Sequence, residues 1–259
     1  MSIEVRNLVV KYGEKTAIDN ISLDVLDGEI LTLIGPNGSG KSTLVKTISR
    51  IMKPNKGKIL FNDKDIFSID TKKLARDMAI LPQEKDISMD ITVRELVSYG
   101  RHPHLGFGKR LNNNDKEIID WALEQTGMIE FRDRDIMSLS GGERQRAWIS
   151  MALAQKPKVL IMDEPTTYLD ISYQLEVLEL VKQLNKKLKL TVIMVLHDLN
   201  QASRYSDRIL VLNKGKVYGY GSPQDIIKPP LFEEVFKIQA HIYMDEVNDC
   251  TYFIPHKKF

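Results

Sequence analysis

Residues 34–43 read IGPNGSGKST and begin at the end of a short run, residues 29–34, that is apolar enough to be a buried strand. The pattern of Gly, four residues and Gly-Lys-Ser is typical of a loop that binds phosphate groups. Its glycines allow a tight turn in which successive backbone N–H groups point into one concavity at the start of the next helix. The alternative is an exposed turn rich in Gly and Ser, but a chance match is expected in only about one such chain in a hundred. The sequence therefore predicts a nucleotide-binding loop.

Two side chains of this loop have the chemistry to act on a nucleotide directly. The Lys41 ammonium is expected to reach the β- and γ-phosphates, and the Ser42 hydroxyl to bind Mg²⁺. The predicted nucleotide-binding residues of the loop are Gly35, Pro36, Asn37, Gly38, Ser39, Gly40, Lys41, Ser42 and Thr43.

The composition predicts a soluble protein of one domain, with or without a subdomain. The 259 residues carry 37 Lys and Arg against 35 Asp and Glu, and this net charge of +2 gives no reason to expect nucleic acid as a partner. A single cysteine, Cys250, excludes an internal disulfide framework and fits a reducing compartment. No segment reaches the roughly 18 apolar residues that span a bilayer, and the first residues lack the apolar region of a signal peptide. We therefore expect a cytoplasmic protein that reaches a membrane only through a partner.

Apolar strand-like runs alternate with helical segments along most of the chain. Residues 3–10 and 18–25 have partial alternation, and the runs at 159–162 and 190–196 are apolar enough to be buried strands. The middle of the chain, from about 83 to 134, has helical periodicity and no clear strand. The pattern predicts an α/β fold with a largely parallel sheet, an N-terminal antiparallel β part and an inserted helical subdomain.

Polar residues follow four of the apolar runs, and the carboxyl ends of parallel strands gather at one edge of a sheet. Asp163 is placed to hold Mg²⁺, and Glu164 to polarise an attacking water. His197 can hydrogen-bond a phosphate oxygen, although a lone histidine is more often structural. No sequence pattern around Gln83 indicates a role for it. Tyr12 either stacks on a base or only packs against the residues of its own turn. The convergence of these residues predicts one composite site.

Residues 140–143, Ser-Gly-Gly-Glu, form the Ser-x-x-Glu pattern of a capping box that begins a helix. Two glycines beside a capped helix N-terminus also predict a second anion-binding nest, about a hundred residues after the first. A single γ-phosphate rarely needs two nests from one chain. We therefore expect this nest to serve a nucleotide held by another copy.

The segment His102-Pro103-His104 has two histidines but no carboxylate or cysteine grouped beside them. Such a pair is a poor ligand set for a metal ion. A surface loop used in docking is the better interpretation.

Together these motifs resemble, in order and spacing, those of the ATP-binding subunits of ABC transporters over about residues 1–225. Residues 35–43 are similar to the Walker A loop, residues 139–146 (LSGGERQR) to the family signature, and residues 159–164 to Walker B. Residues 169–170 are similar to the D-loop. The block at residues 100–104 is similar to one in the ATPases of iron–siderophore, haem and cobalamin importers.

The resemblance implies a role for each candidate residue with ATP and Mg²⁺. The implied catalytic residues are Lys41, Gln83, Glu164 and His197. The implied magnesium ligands are Ser42, Gln83 and Asp163. The residues implied to contact the nucleotide, besides the loop, are Tyr12, Ser140, Gly141, Gly142 and Asp170.

The resemblance also implies an organisation and a set of partners. The ATP-binding domain is expected over residues 1–237, with the helical subdomain at about 83–134 inserted in it, and residues 238–259 form an extension of unknown role. A homodimer or a paired ATPase subunit is expected, with each ATP between Walker A of one subunit and the signature of the other. A polytopic transmembrane permease is expected to dock on the helical subdomain at the cytoplasmic face of the membrane, with a substrate-binding lipoprotein as an indirect partner.

The function implied is ATP hydrolysis that energises an importer of an iron–siderophore or a related iron, haem or cobalamin complex. Import of a different solute is an alternative. So is a soluble ABC-type ATPase of translation or DNA metabolism, although the chain shows neither a second such domain nor a long coiled coil. A P-loop GTPase is disfavoured because no Asn-Lys-x-Asp motif is present.

Overall fold

The structure is a computed structural model that describes residues 3–83, 90–106 and 108–258. Its contacts divide the chain into two compact units. The first comprises Met1–Ser68 and Thr191–Phe259, and the second comprises Ile69–Leu190. Among the helices that are described, none is both long enough and apolar enough to cross a membrane.

The elements follow one another in an alternating order. The strands are β1 (Ile3–Tyr12), β2 (Lys15–Val25), β3 (Ile30–Ile34), β4 (Lys56–Phe61), β5 (Lys64–Asp65), β6 (Met78–Leu81), β7 (Val159–Met162), β8 (Thr191–Val195), β9 (Arg208–Asn213), β10 (Lys216–Gly221), β11 (Ile238–Asp245) and β12 (Cys250–Lys258). The α-helices are α1 (Lys41–Ile48), α2 (Thr71–Asp77), α3 (Val93–Ser98), α4 (Asn113–Gln125), α5 (Gly141–Ala154), α6 (Ile171–Leu188), α7 (Leu199–Tyr205) and α8 (Pro223–Ile226). Short 3₁₀ helices occupy Tyr99–His104, Ile129–Phe131 and Ile136–Ser138, and a π-helix occupies Leu231–Phe236.

In the first unit, one sheet is antiparallel and another is built on parallel strands. In the antiparallel sheet, β1 pairs with β2 and with β4, and β5 pairs with β4. In the other sheet, β3 lies between β8 and β9, parallel to both, and β10 pairs antiparallel with β9. Every residue of β3 and β8 is buried, which is the pattern of parallel strands covered on both faces. The strands β11 and β12 form a separate hairpin.

An ion cluster within the first unit connects β2 and β9 with Glu29, the residue directly before β3. The Arg208 guanidinium donates to the two carboxylate oxygens of Glu29 at 2.8 and 2.7 Å and to Asp24 Oδ2 at 3.3 Å. It also lies 4.7 Å from the ring centroid of Tyr220. Burial by itself lowers the pKa of Arg208, but the adjacent Glu29 carboxylate outweighs it, so this pKa lies above its ordinary value. The cluster stabilises the junction because the bidentate geometry compensates the desolvated charges.

The second unit contains the parallel pair β6 and β7 together with helices α2 to α6. Local sequence sets where these helices begin. Each has an N-cap side chain that accepts a hydrogen bond from the backbone N–H three residues later, and these caps are Asp70, Thr92, Asn112, Ser140 and Asp170.

The predicted α/β fold, with a largely parallel sheet, an antiparallel N-terminal β part and helices, is confirmed. The described elements between residues 90 and 134 are helical. The bounds of the predicted helical insertion stay a prediction, and residues 84–89 and residue 107 of that range lie outside the described part. Residues 238–258, in which the sequence showed no readable motif, form the hairpin β11–β12.

A buried ion pair braces the 3₁₀ helix Tyr99–His104 in the second unit. The Arg101 guanidinium donates to Asp115 Oδ1 at 3.0 Å and to the Ala154 carbonyl oxygen at 2.7 Å. The two side chains are only 5% and 4% exposed. Burial raises the pKa of Asp115, but hydrogen bonds from the Asn112 backbone N–H and from Arg101 outweigh it, and this pKa lies below its ordinary value.

We predict that Asp115→Ala lowers the free energy of unfolding by about 3–5 kcal/mol, because it leaves the Arg101 charge buried and unpaired. The stabilisation by Asp115 is complete above the ordinary aspartate pKa of about 3.9 and is lost as pH falls through the lower pKa of the folded state. Urea denaturation at pH 7 and at pH 3 measures both effects. The control is Asp120→Ala, since Asp120 pairs with Arg94 at the surface, where the two side chains are 38% and 37% exposed. We expect the control to cost no more than about 1 kcal/mol; equal losses from the two substitutions contradict the prediction.

Candidate functional site

The phosphate loop, residues 35–43, runs from the end of β3 into α1. Two of its glycines occupy positions that no other residue fits. A Cβ atom on Gly35, whose φ is 145°, would lie 2.1 Å from the Leu212 carbonyl oxygen. A Cβ atom on Gly40, whose φ is 108°, would lie 2.8 Å from the Ala17 carbonyl oxygen. The loop approaches the backbone of β9 and β2 this closely because both positions are glycine.

The turn between β9 and β10 also holds the phosphate loop. The Gly215 N–H donates to the Ser39 carbonyl oxygen at 2.9 Å, and the Gly215 carbonyl accepts from the Asp19 N–H at 2.8 Å. A chain of backbone hydrogen bonds therefore connects the loop with this turn and with β2. These contacts hold the loop backbone in a defined shape.

The phosphate loop has the features that an anion requires. No side chain caps the N-terminus of α1, where Gly40 is the N-cap, in contrast to the five side-chain caps of α2 to α6. The Ser39 hydroxyl oxygen is buried and has no hydrogen-bond partner among the described residues. Lys41 is 6% exposed, and its Nζ donates to the Gly35 carbonyl at 2.7 Å and to the Pro36 carbonyl at 3.1 Å. A phosphate group offers acceptor oxygens to the helix start and to these side chains, so the loop fits a nucleotide.

A cavity of about 270 Å³ lies beside the phosphate loop, within the first unit. Its lining residues are Pro36, Asn37, Gly38, Ser39, Asn213, Lys214, Glu234, Val235 and Lys237. The last five were not among the candidate residues. Asn213 ends β9 and Lys214 follows it in the turn to β10, and no sequence pattern places that turn or the π-helix next to the loop.

Tyr12 and His197, which also belong to the first unit, have separate positions. The Tyr12 hydroxyl lies 3.4 Å from Thr43 Oγ1, and the Tyr12 side chain is half exposed. Its contact with the phosphate loop is compatible with the predicted stacking on adenine. His197 is exposed and follows the buried end of β8, while its neighbour Asp198 caps α7 by accepting from the N–H groups of Asn200 and Gln201.

In the second unit the structure brings Gln83 and Glu164 together. The Gln83 Nε2 donates to Glu164 Oε2 at 2.6 Å, and the Thr167 hydroxyl donates to the same oxygen at 3.0 Å. Glu164 has a φ of 53°, a left-handed conformation that is uncommon for a residue other than glycine and typical of functional sites. Thr167 was not a candidate residue. Neighbouring Asp163 is 9% exposed, and its N–H donates to the Leu81 carbonyl at 3.0 Å, which ties the ends of β6 and β7 together.

The predicted second nest, at the start of α5, has the capping box that its sequence indicates. The Ser140 hydroxyl accepts from the Glu143 N–H, and the Ser140 N–H donates to Glu143 Oε2 at 2.8 Å. These hydrogen bonds from Ser140 hold the pKa of Glu143 below its ordinary value. A Cβ atom on Gly142 would lie 2.3 Å from Tyr173 Cδ1, so this glycine permits close packing of α5 on α6, whose N-cap is Asp170.

The histidines of the segment at residues 102–104 have different environments. His104 Nε2 lies 2.8 Å from the Gln155 carbonyl oxygen, and burial lowers the pKa of this imidazole. His102 is exposed, and its ring centroid lies 5.3 Å from that of Tyr99. The block is therefore partly an internal brace, with Arg101 and His104 facing α4 and α5. The docking role predicted for it stays a prediction.

Each of the two units carries side chains whose chemistry suits binding of a nucleotide or action on it. The oxygens of Ser42 and Asp163 are of the type that Mg²⁺ prefers. Glu164 is held by two donors, as a side chain that must orient a water requires. The individual roles of the candidate residues stay predictions.

Curated relatives of the chain are ATP-binding proteins of importers. The iron(3+)-hydroxamate import ATP-binding protein of Bacillus subtilis is 49% identical over 245 residues, which are 94% of this chain and 91% of that protein. A petrobactin import ATP-binding protein of Bacillus anthracis is 45% identical over 255 residues, which are 98% of this chain and 93% of the relative.

Solved structures with the same fold are cassettes of ABC transporters. One is a metal-chelate type ABC transporter in an inward-facing conformation, with a TM-score of 0.87, 27% identity and coverage of 99% of this chain and 98% of the other. Another is the dimeric structure of a bacterial ABC transporter cassette, with a TM-score of 0.73, 28% identity and coverage of 85% and 98%. The family model described as ABC transporter matches residues 18–167, which is more than half of the chain. The chain therefore belongs to the ABC transporter family.

Proposed function

We propose that the protein is the ATP-binding and ATP-hydrolysing subunit that energises an importer of iron–siderophore complexes. The observation that carries the proposal is the glycine-dependent phosphate loop in a chain whose relatives, at 49% and 45% identity, are import ATP-binding proteins for iron(3+)-hydroxamate and petrobactin. Those two names differ in the siderophore. The substrate class is therefore proposed as iron–siderophore complexes, without a choice among them.

Binding of the nucleotide rests on the phosphate loop and on Tyr12. The loop N–H groups and Lys41 neutralise the phosphate oxygens, and the negative charge that spreads over the γ-phosphoryl group during transfer strengthens these contacts. Ser42 and Asp163 would hold Mg²⁺, which would supply positive charge that offsets the repulsion among the phosphate oxygens. Tyr12, exposed beside Thr43, stacks on the base.

Hydrolysis depends on the carboxylate of Glu164. This side chain accepts a proton from the attacking water, or orients it, as a general base does. Gln83 and Thr167 donate to one of its two oxygens, Oε2, and so restrict its rotation. Because Gln83 contacts Glu164, a displacement of Gln83 by a docked permease changes the position of the catalytic carboxylate. His197 holds the γ-phosphate.

The active form is proposed to be a head-to-tail dimer. The nest at Ser140, Gly141 and Gly142 binds the nucleotide that a second subunit holds on its phosphate loop, and Asp170 lies at the neighbouring helix start. The dimeric cassette among the similar structures supports a dimer, and the head-to-tail orientation is part of the proposal. A transmembrane permease, and indirectly a substrate-binding lipoprotein, complete the importer at the cytoplasmic face of the membrane.

We expect Glu164→Gln to retain ATP binding and to lower the turnover number at least about 100-fold, because the amide cannot accept a proton. A nucleotide-binding titration and a phosphate-release assay measure the two properties. Glu176→Gln, which makes the same change on the exposed side of α6, serves as the control and should leave turnover unchanged. Normal hydrolysis by the Glu164 variant disproves its assigned role.

Lys41→Ala is expected to weaken binding of MgATP at least about tenfold, because it removes the only side-chain cation of the loop from the β- and γ-phosphates. The matched control is Lys46→Ala, which removes an exposed lysine from the same helix, α1. Isothermal titration with ATP measures both. Unaltered affinity of the Lys41 variant rules out the phosphate-binding role of the loop.

The import function is tested by growth on defined iron sources. A strain that lacks this gene should fail to grow when a ferric hydroxamate or ferric petrobactin is the sole iron source, and should grow on another iron source. The wild-type gene should restore growth, and the Glu164→Gln variant should not. Growth of the deletion strain on every siderophore tested contradicts iron–siderophore import.

A further inference from the structure

The C-terminal hairpin has one face that packs on its own unit. β11 and β12 pair in antiparallel register from Asp245↔Cys250 to Ile238↔Lys258. On the inner face, Phe253 lies 4.5 Å from Phe232, ring centroid to centroid. The Phe253 N–H also donates to Asn200 Oδ1 at 2.9 Å, so α7 and the π-helix hold the hairpin in place.

The outer face of the hairpin includes these rings and aliphatic side chains, which alternate with the inner ones: His241, Tyr243, Tyr252, Ile254 and His256. Tyr243 and Tyr252 are directly paired and stacked, with ring centroids 5.4 Å apart. The His241 and His256 rings lie 4.8 Å apart. Tyr243, Tyr252 and Ile254 are 45%, 37% and 51% exposed. This outer face is therefore an ordered aromatic and aliphatic surface in contact with solvent.

Opposite charges flank the outer face at its two ends. The turn end carries Asp245, Glu246 and Asp249, and the last two are exposed. The open end carries Lys237, Lys257 and Lys258, which are exposed as well. The centre of the face lies at the pair His241↔Ile254, between these ends.

We propose that the outer face of this hairpin pairs with the same face of a second copy of the chain. If two such faces meet about a two-fold axis at Ile254, with their strands antiparallel, the acidic turn of each copy lies over the basic end of the other. Such a contact is isologous, since every attractive pair occurs twice. A hairpin with one charge sign at both ends would repel its own copy in this arrangement.

The area of the outer face decides whether this contact can hold two chains together by itself. Eight residue rows of two strands measure about 26 Å by 10 Å, or on the order of 500 Å² for the two faces together. This area is well below the roughly 1,200–2,000 Å² of a stable interface. The hairpin contact therefore adds to a dimer that other surfaces hold together, and gains from the high effective concentration of the second hairpin.

The position of the hairpin near the phosphate loop supports pairing of the two hairpins within the ATP-bound dimer. Glu234, Val235 and Lys237 line the cavity beside the phosphate loop, and β11 starts directly after Lys237. In the head-to-tail dimer proposed above, on which this inference rests, the phosphate loop faces the second subunit. The hairpin is continuous in sequence with that surface.

Charge reversal at the two ends tests the pairing, in the Glu164→Gln background that retains ATP. The first variant is Lys257→Glu with Lys258→Glu, and the second is Glu246→Lys with Asp249→Lys. Sedimentation velocity with MgATP measures the dimer dissociation constant. We expect each variant alone to dimerise about tenfold more weakly, because both contacts of its homodimer become repulsive. An equimolar mixture of the two variants should regain the original affinity, since both contacts of the mixed dimer are again attractive.

The outcomes separate this inference from the function on which it rests. Equal dissociation constants for the background protein and both variants overturn the hairpin pairing but leave the head-to-tail dimer standing. Absence of any MgATP-dependent dimer in the background protein overturns both. Weakening without rescue in the mixture also overturns the pairing, because it shows a general effect of the substitutions. Nucleotide affinity equal to that of the background protein shows that each variant is folded.

Discussion

The fit of the phosphate loop against the backbone of β2, β9 and the β9–β10 turn is the constraint on which the rest of the first unit depends. Gly35 and Gly40 lie so close to the carbonyl oxygens of Leu212 and Ala17 that a single added carbon atom does not fit. The hydrogen bond from Gly215 to Ser39 completes the contact. The loop comes after β3, and β3 lies between β8 and β9. The loop, His197 and the β9–β10 turn therefore lie after the ends of three neighbouring strands. The anion site is thus a consequence of strand packing as much as of the glycine motif.

Two ion clusters stabilise the architecture, and one of them is buried in a segment where a sequence motif suggests a functional site. Arg101 belongs to a block that resembles one in iron–siderophore importers, yet its guanidinium binds Asp115 and the Ala154 carbonyl in the interior. Arg208 of β9 contacts Asp24 of β2 and Glu29, the residue directly before β3. In both cases the hydrogen bonds outweigh desolvation, as the lowered pKa of Asp115 and the raised pKa of Arg208 indicate. A charged residue in a motif is therefore assigned to function only after its burial is known.

Features that depend on neighbours in sequence were predictable. The helix N-cap at Ser140 follows from side chains within four residues of each other, as the Ser-x-x-Glu pattern at residues 140–143 indicates. The buried strand Val159–Met162 follows from an uninterrupted apolar run. The contact between Gln83 and Glu164 was different. Each residue was a candidate, but nothing local indicates that two side chains 81 positions apart share a hydrogen bond.

By itself, the sequence determined the α/β class, the phosphate loop and the family to which the chain belongs, because glycine patterns, caps and apolar runs act over short distances along the backbone. The tertiary structure alone decided which distant segments meet. It placed Lys214, Glu234 and Lys237 beside the phosphate loop and formed a hairpin from residues 238–258. Side chains of this hairpin alternate between two faces. Which face is exposed is decided by α7 and Phe232, which cover the other face. Contacts of this kind depend on how whole elements pack, and that information is spread over the entire chain rather than written in any one stretch.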